Sequence, residues 1–213
     1  MVMPDKKPVV LLGLYGNKGV GKDTIGYILR QEHSFHVFSF AKHLYDCVSK
    51  LFHVRVEVLQ ARETKEANMP ALYGRSPREV LKYFGTDFVR DFISHNFWID
   101  EVAKRISDTC RSSRVGIKAV ITDVAMLNEI KYVLDNGGYI LYIERPGCEE
   151  FRVREAEAGI AETYLMTLLM EENSHVLRVQ NDSSIEYLAE RIATVMTYIS
   201  INSIPAILPT TEK

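Results

Sequence analysis

The apolar run Val9-Val10-Leu11-Leu12-Gly13-Leu14 leads directly into Gly16-Asn17-Lys18-Gly19-Val20-Gly21-Lys22-Asp23-Thr24, and this junction constrains the chain more than any other feature. A run with no polar face reads as a strand buried on both sides, which is the mark of a parallel sheet covered by helices. Gly16, Gly19 and Gly21 let the backbone turn with its N–H groups pointing inward,. The chain then enters a helix, whose N-terminus favours negative charge. Strand, glycines, lysine and helix in that order make a cradle for phosphates, with Lys22 placed to follow a terminal phosphate,. The plainer alternative is a glycine-rich turn without a ligand.

At 213 residues the chain fits one α/β domain, read here as 1–213, with room for a small inserted lobe,. A formal charge of −2 argues against general nucleic-acid binding, which needs a basic face, but it leaves room for a local positive pocket,. Cys47, Cys110 and Cys148 are isolated and lack metal spacing, so they read as reduced thiols,. His33 and His36 are neighbours without further zinc ligands,. Residues 1–7 lead straight into the first expected strand and are not expected to act as a signal peptide, and no apolar run approaches the ~20 residues that span a bilayer,. The expected location is the cytoplasm, with no membrane partner.

Strands and helices alternate along the chain. Strands are expected at 8–15, 35–40, 117–122, 139–143 and 175–179, and helices at 21–32, 42–52, 128–134 and 185–199,. The stretch 53–114 reads as a polar, mostly helical lobe. Within it Ser76-Pro77-Arg78-Glu79 gives a cap, a proline at the first helical position and an acid in the first turn,. Residues 201–213, with Pro205 and Pro209, read as a flexible tail,. Such alternation predicts a three-layer α/β fold, a central parallel sheet between helices, with the active site at the carboxyl ends of the strands. Asp123 ends the strand Ala119-Val120-Ile121-Thr122 and so reaches the same edge as the glycine loop. It reads as a carboxylate for magnesium or its waters, or else as a helix N-cap.

Several motifs occur in one order: Gly16–Thr24, Phe40-Ala41, Ser76-Pro77-Arg78, Phe84-Gly85-Thr86-Asp87, Arg90, Trp98, Thr122-Asp123-Val124, Asn128-Glu129 and Glu144-Arg145-Pro146-Gly147. Together they resemble the deoxynucleoside monophosphate kinases of bacteriophages and similar viruses, over residues 9–190. The hydroxyl shifted from position 23 to Thr24 also resembles small-molecule phosphate kinases more than GTPases. The resemblance implies a P-loop kinase fold with residues 53–114 as the acceptor-binding lobe. It further implies transfer of a phosphoryl group from ATP to a deoxynucleoside monophosphate, assisted by Mg2+. The chain departs from the family in carrying Ala125 where an arginine is usual, and in lacking a basic residue around Tyr45.

A monophosphate acceptor already carries an anionic oxygen, so this chemistry needs alignment and cations rather than a general base. Gly16 to Thr24 would hold ATP, with Asn17, Lys18, Gly19, Val20 and Gly21 as the loop and Lys22 on the transferred phosphate. Thr24 and Asp123 would hold the metal, with Asp23 acting through water. The resemblance points to Arg78, Gly85, Arg90, Trp98, Asp123 and Glu129 on the acceptor side. Arg62 and Lys65 are further candidates, although mixed charge runs are often solvated faces,. Trp98 reads either as a base-stacking ring or as a core residue. Arg145, Arg152 and Arg154 flank the segment where the kinases it resembles carry a closing lid; Arg145 is the catalytic candidate, while Arg152 and Arg154 read equally as surface charges. Expected partners are ATP and a nucleoside monophosphate, with a homodimer left open. The rival readings are a kinase resembling phosphomevalonate kinases and a nucleotide-binding regulatory protein without turnover.

Overall fold

The structure of the protein, a computed structural model, describes residues 9–61, 63–148 and 156–202. Five strands, β1 (Val9–Tyr15), β2 (Phe35–Phe38), β3 (Ile117–Val124), β4 (Tyr139–Glu144) and β5 (Val176–Gln180), form one sheet in the order β2-β3-β1-β4-β5. Every pairing is parallel, as the buried apolar strands require,. The helices α1 (Lys22–His33), α6 (Leu127–Asp135), α7 (Ala156–Met170) and α8 (Ile185–Asn202) cover it, α1 packing with α8 and α6 with α7.

Side-chain period explains the core. Leu12 and Leu14 of β1, Val120 of β3, and Leu141 and Ile143 of β4 share one cluster with Ile25, Ile28 and Leu29 of α1 and Leu188, Ile192 and Ile199 of α8. The strand residues recur at every second position and the α1 residues at i, i+3 and i+4, so strand and helix present matching apolar faces. Burial of each such side chain stabilises by ~1.5–3 kcal/mol.

Connectivity places the site. From β1 the chain crosses past β3 to reach β2, whereas from β3 it crosses past β1 to reach β4. Two neighbouring strands whose crossovers leave in opposite directions open a crevice at their carboxyl ends. Those ends carry the glycine loop and Asp123.

The chain divides into a sheet-bearing unit, residues 1–38 and 104–213, and a second unit, Ser39–Ala103. The second unit contains α2 (Ala41–Phe52), α3 (Val56–Gln60), α4 (Pro77–Lys82), a π-helix over Tyr83–Ile93 and the start of α5 (Phe97–Ser112). Its own core joins Val48, Val54, Leu59, Leu72 and Leu81. The unit is helical, and the lobe read from the sequence at 53–114 overlaps it over residues 53–103.

Three further details differ from the sequence expectation. Helix α7 was not anticipated, because Ile160, Leu165, Met166, Leu168, Leu169 and Met170 spread around its circumference instead of forming one stripe. Strand β2 stops at Phe38, two residues before its expected end, where the second unit begins. Ile201 and Asn202 belong to α8, while the rest of the expected tail lies outside the described residues.

Candidate active site

The glycine loop is held from outside. Val20 is 2% exposed and packs into the core between sheet and helices. The Asn17 side-chain amide donates to the Cys148 carbonyl at 2.8 Å, and Arg145 Nη1 donates to the Gly19 carbonyl at 3.5 Å. Asn181 Nδ2 donates to the Val20 carbonyl at 2.8 Å. Gly16 has φ +149° and lies so close to the Ile143 carbonyl that any Cβ would collide with it. Gly21 has φ +100°, and a Cβ there would come within 2.5 Å of Asn181 Nδ2. Both positions therefore need glycine for close approach as well as for backbone conformation.

Lys22 opens α1, and its ammonium lies across the loop, donating to the Gly16 carbonyl at 2.5 Å and the Asn17 carbonyl at 2.9 Å. Burial lowers its pKa below the usual lysine value, against the opposing pull of the Asp23 and Asp123 carboxylates,. Both acids thus act on the lysine electrostatically. Thr24 is half-buried in the first turn of α1, Asp23 is exposed, and Lys18 and Gly19 are exposed at the loop tip.

Asp123 sits on a bulge. Between Gly13↔Ile121 and Tyr15↔Val124, β1 advances two residues and β3 three, so one extra residue falls within Thr122-Asp123. A bulge re-aims side chains at a strand end. Asp123 is not the N-cap of α6, since that helix starts at Leu127 and Met126 holds the cap position. The helix start is served by Glu129, whose Oε2 accepts from Ala125 N at 2.8 Å and Met126 N at 3.1 Å. Glu129, named above on the acceptor side, is 2% exposed and spends its carboxylate on those amides.

Beside the loop lies a cavity of about 360 Å³, lined by Asn17 and Val20, by Tyr142 to Pro146 at the end of β4, and by Cys148, Glu162, Gln180 and Asp182. Tyr142 OH donates to Glu162 Oε1 at 3.3 Å, and its ring stacks on Tyr15 with centroids 5.7 Å apart. Burial, with the nearby Glu162 and Glu144 carboxylates, pushes the Tyr142 pKa up to about 12. Arg145 is exposed at the cavity rim.

Within the second unit the cap expected at Ser76 forms, and Glu79 completes it as a capping box: Glu79 N donates to Ser76 Oγ at 3.3 Å, and Ser76 N donates to Glu79 Oε2 at 2.9 Å,. The Ser76 backbone N–H and, after it, the Ser76 hydroxyl, both bonded to the Glu79 carboxylate, hold that carboxyl below the usual range. The box sets Arg78 in the first turn of α4, where its backbone N–H donates to the Lys65 carbonyl at 3.0 Å and its guanidinium pairs with Glu66. The Lys65 pKa is lowered by burial first and by the neighbouring Arg78 second. Two of the acceptor-side candidates, Lys65 and Arg78, are therefore brought together, with Glu66 paired to Arg78.

Trp98 takes the packing alternative: it is 3% exposed, Nε1 donates to the Gly85 carbonyl at 2.9 Å, and Phe97 meets its ring edge-on at 5.0 Å. Gly85 lies in the π-helix against α2, where a Cβ would meet Leu44 Cδ2 at 2.7 Å. Both serve the packing of this unit. Arg90 is half-buried in the last part of the π-helix. Arg62, Arg152 and Arg154 lie outside the described residues.

The sequence profile of deoxynucleotide monophosphate kinases matches residues 73–192, more than half of the chain. A protein of Acanthamoeba polyphaga mimivirus described as a deoxynucleotide monophosphate kinase is 32% identical over 154 residues, covering 65% of this chain and 76% of its own. The chain belongs to the deoxynucleotide monophosphate kinase family. It is a nucleotide kinase, with a P-loop kinase fold. Among solved structures, a Thermus thermophilus protein matches at 17% identity with a TM-score of 0.49, covering 90% of this chain and 98% of its own. Dephospho-CoA kinase from Campylobacter jejuni matches at 12% identity with a TM-score of 0.46, covering 92% of this chain and 100% of its own. No substrate follows from likenesses this distant.

Three features of the candidate site were not legible in the sequence reading. Tyr142 and Glu162 meet because α7 packs against β5, the neighbour of β4, and α7 carries no periodic stripe to announce it. Glu66 ends the mixed charge run Arg62-Glu63-Thr64-Lys65-Glu66 and carries no signal of its own. Asn181 had a legible signal: Asn181-Asp182 directly follows the last strand, at the sheet edge where ligands bind,. Among the described residues no helix is long and apolar enough to cross a membrane.

Proposed function

We propose that this kinase transfers the γ-phosphoryl group of ATP to a deoxynucleoside monophosphate, giving the diphosphate. The observation that carries the reading is the placement of Lys22. Its ammonium lies across the glycine loop at the sheet's switch point, and the Asp123 carboxylate lowers the cost of keeping it charged,. A polyphosphate in the loop would offer it stronger, charge-assisted partners than the Gly16 and Asn17 carbonyls. The cavity beside the loop suits the donor's nucleoside, and Arg145 at its rim is the cation for the phosphoryl group in flight. Lys65 and Arg78 are proposed for the acceptor phosphate, which would displace Glu66 from Arg78. Family membership supports a nucleotide acceptor over the rival phosphate kinases.

Magnesium fits the donor set. Thr24 and Asp123 offer a hydroxyl and a carboxylate, and no group of three His, Cys, Asp or Glu among the described residues forms a dedicated metal cage. Mg2+ prefers such sparse oxygen sites, completing its shell with water and substrate phosphate. When bound it would neutralise charge on the phosphate oxygens. Transfer to a monophosphate needs the acceptor oxygen in line with the phosphorus, and no side chain has to remove a proton. A coupled assay of ADP release against a panel of deoxy- and ribonucleoside monophosphates tests the reading. Turnover of at least one deoxynucleotide, abolished by chelation of Mg2+, is the expected result. Absence of turnover across the panel overturns it.

A further inference from the structure

We propose that Asn181 is a positioning residue that aims the phosphate-binding loop, an inference resting on the reading that the loop holds a polyphosphate. Its side-chain amide reaches across 161 residues of sequence to donate to the Val20 carbonyl at 2.8 Å. In a planar trans peptide the C=O of one residue and the N–H of the next point in opposite directions. Holding the Val20 carbonyl on the Asn181 side therefore turns the Gly21 N–H to the other side. That amide stands at the mouth of α1, where inward N–H groups meet an anion.

Asn181 is itself braced against motion. It is 9% exposed, and its backbone N–H donates to the Glu144 carbonyl at 2.8 Å. Arg191 grips the residues on either side, bonding the Gln180 carbonyl and the Asp182 carboxylate, the latter at 2.8 Å. The Arg191 guanidinium in turn lies 4.4 Å from the centre of the Tyr187 ring. Asn181 Nδ2 occupies the space a Cβ on residue 21 would need, so only glycine at that position leaves room for the side chain that holds the loop. Helix α8, the turn after β5 and the phosphate loop thus form one chain of contacts ending on the amide that would meet the phosphate.

A buried asparagine can equally be a packing element. Because Gln180 and Asp182 line the cavity, Asn181 could also touch the donor's nucleoside. Inorganic tripolyphosphate separates these roles, since it has phosphates and no nucleoside. Titration calorimetry on the full chain should find tripolyphosphate and ATP weakened by a common factor of about tenfold in Asn181→Ala, the scale of one lost hydrogen bond with a stranded partner. The KM for ATP should rise by the same factor, while that for the acceptor stays unchanged.

Weakening of ATP alone would make Asn181 a nucleoside contact, and unchanged affinity for both would reduce it to packing; either result overturns the proposal. If Asn181→Ala does not fold, Asn181→Ser provides the same comparison with a smaller volume change, and failure of both to fold would make the residue a folding determinant and also overturn it. A wild-type protein that binds tripolyphosphate but phosphorylates no deoxynucleotide would remove the acceptor reading and leave this test standing.

Discussion

Lys22 is pulled two ways: burial favours the neutral amine, while the Asp23 and Asp123 carboxylates favour the ammonium. Its role makes the charge matter more than the contacts. Lys22→Ala should lower kcat by ~10²–10³ or more, as loss of a transition-state charge partner does, with the melting temperature nearly unchanged. The pH dependence follows from the direction of the shift. With its pKa below 10.5 in the free protein, Lys22 begins to lose its proton before an ordinary lysine would. Binding of a polyanion favours the protonated form, so ATP affinity should begin to fall at a pH below 10.5, and Lys22→Arg should remove that fall. Calorimetric titrations across the alkaline range check both. Asp123→Asn divides its two sequence readings. The structure removes the capping role, so the variant should lose most of its turnover while thermal stability barely changes; a large loss of stability with normal kinetics would contradict the metal reading.

At the scale of elements, local signals were strongest where a few neighbouring residues act alone. The Ser76 box was legible because a cap, a proline and an acid need only their own turn. Ser76→Ala should cost ~1 kcal/mol of stability, read as a lowered urea midpoint, since it strands the Glu79 amide. The cation pair was only half legible. Lys65 and Arg78 are both visible as basic residues, but their meeting depends on the turn that brings residue 65 back to the start of α4. If the pair takes the acceptor phosphate, Arg78→Ala should raise the acceptor KM at least about tenfold with ATP affinity unchanged. Glu66→Gln should lower it, because the acceptor no longer competes with a carboxylate for the guanidinium. Steady-state kinetics with each substrate varied separately tests both variants.

At the scale of the whole molecule, the two units carry different proposed substrates, and hydrogen exchange can read them separately. ATP alone should slow amide exchange over 16–24 and 142–148, whereas a deoxynucleoside monophosphate alone should slow it over 63–82. Protection of 16–24 by the monophosphate alone would contradict the assignment. Sequence by itself determined the parallel sheet, the loop and the strand carrying Asp123, because buried strands, glycine turns and helix starts are set by side-chain polarity and backbone freedom within a few residues. It did not determine the fate of Trp98 or Glu129, since a ring or a carboxylate is a ligand or a structural group according to what surrounds it. Only the tertiary structure placed Trp98 against the Gly85 carbonyl and Glu129 on the Ala125 and Met126 amides that precede α6. It alone produced the bulge at Asp123, which arises from the register between β1 and β3 and belongs to neither strand separately. It also brought Asn181 to Val20, a contact created by the order of the strands in the sheet.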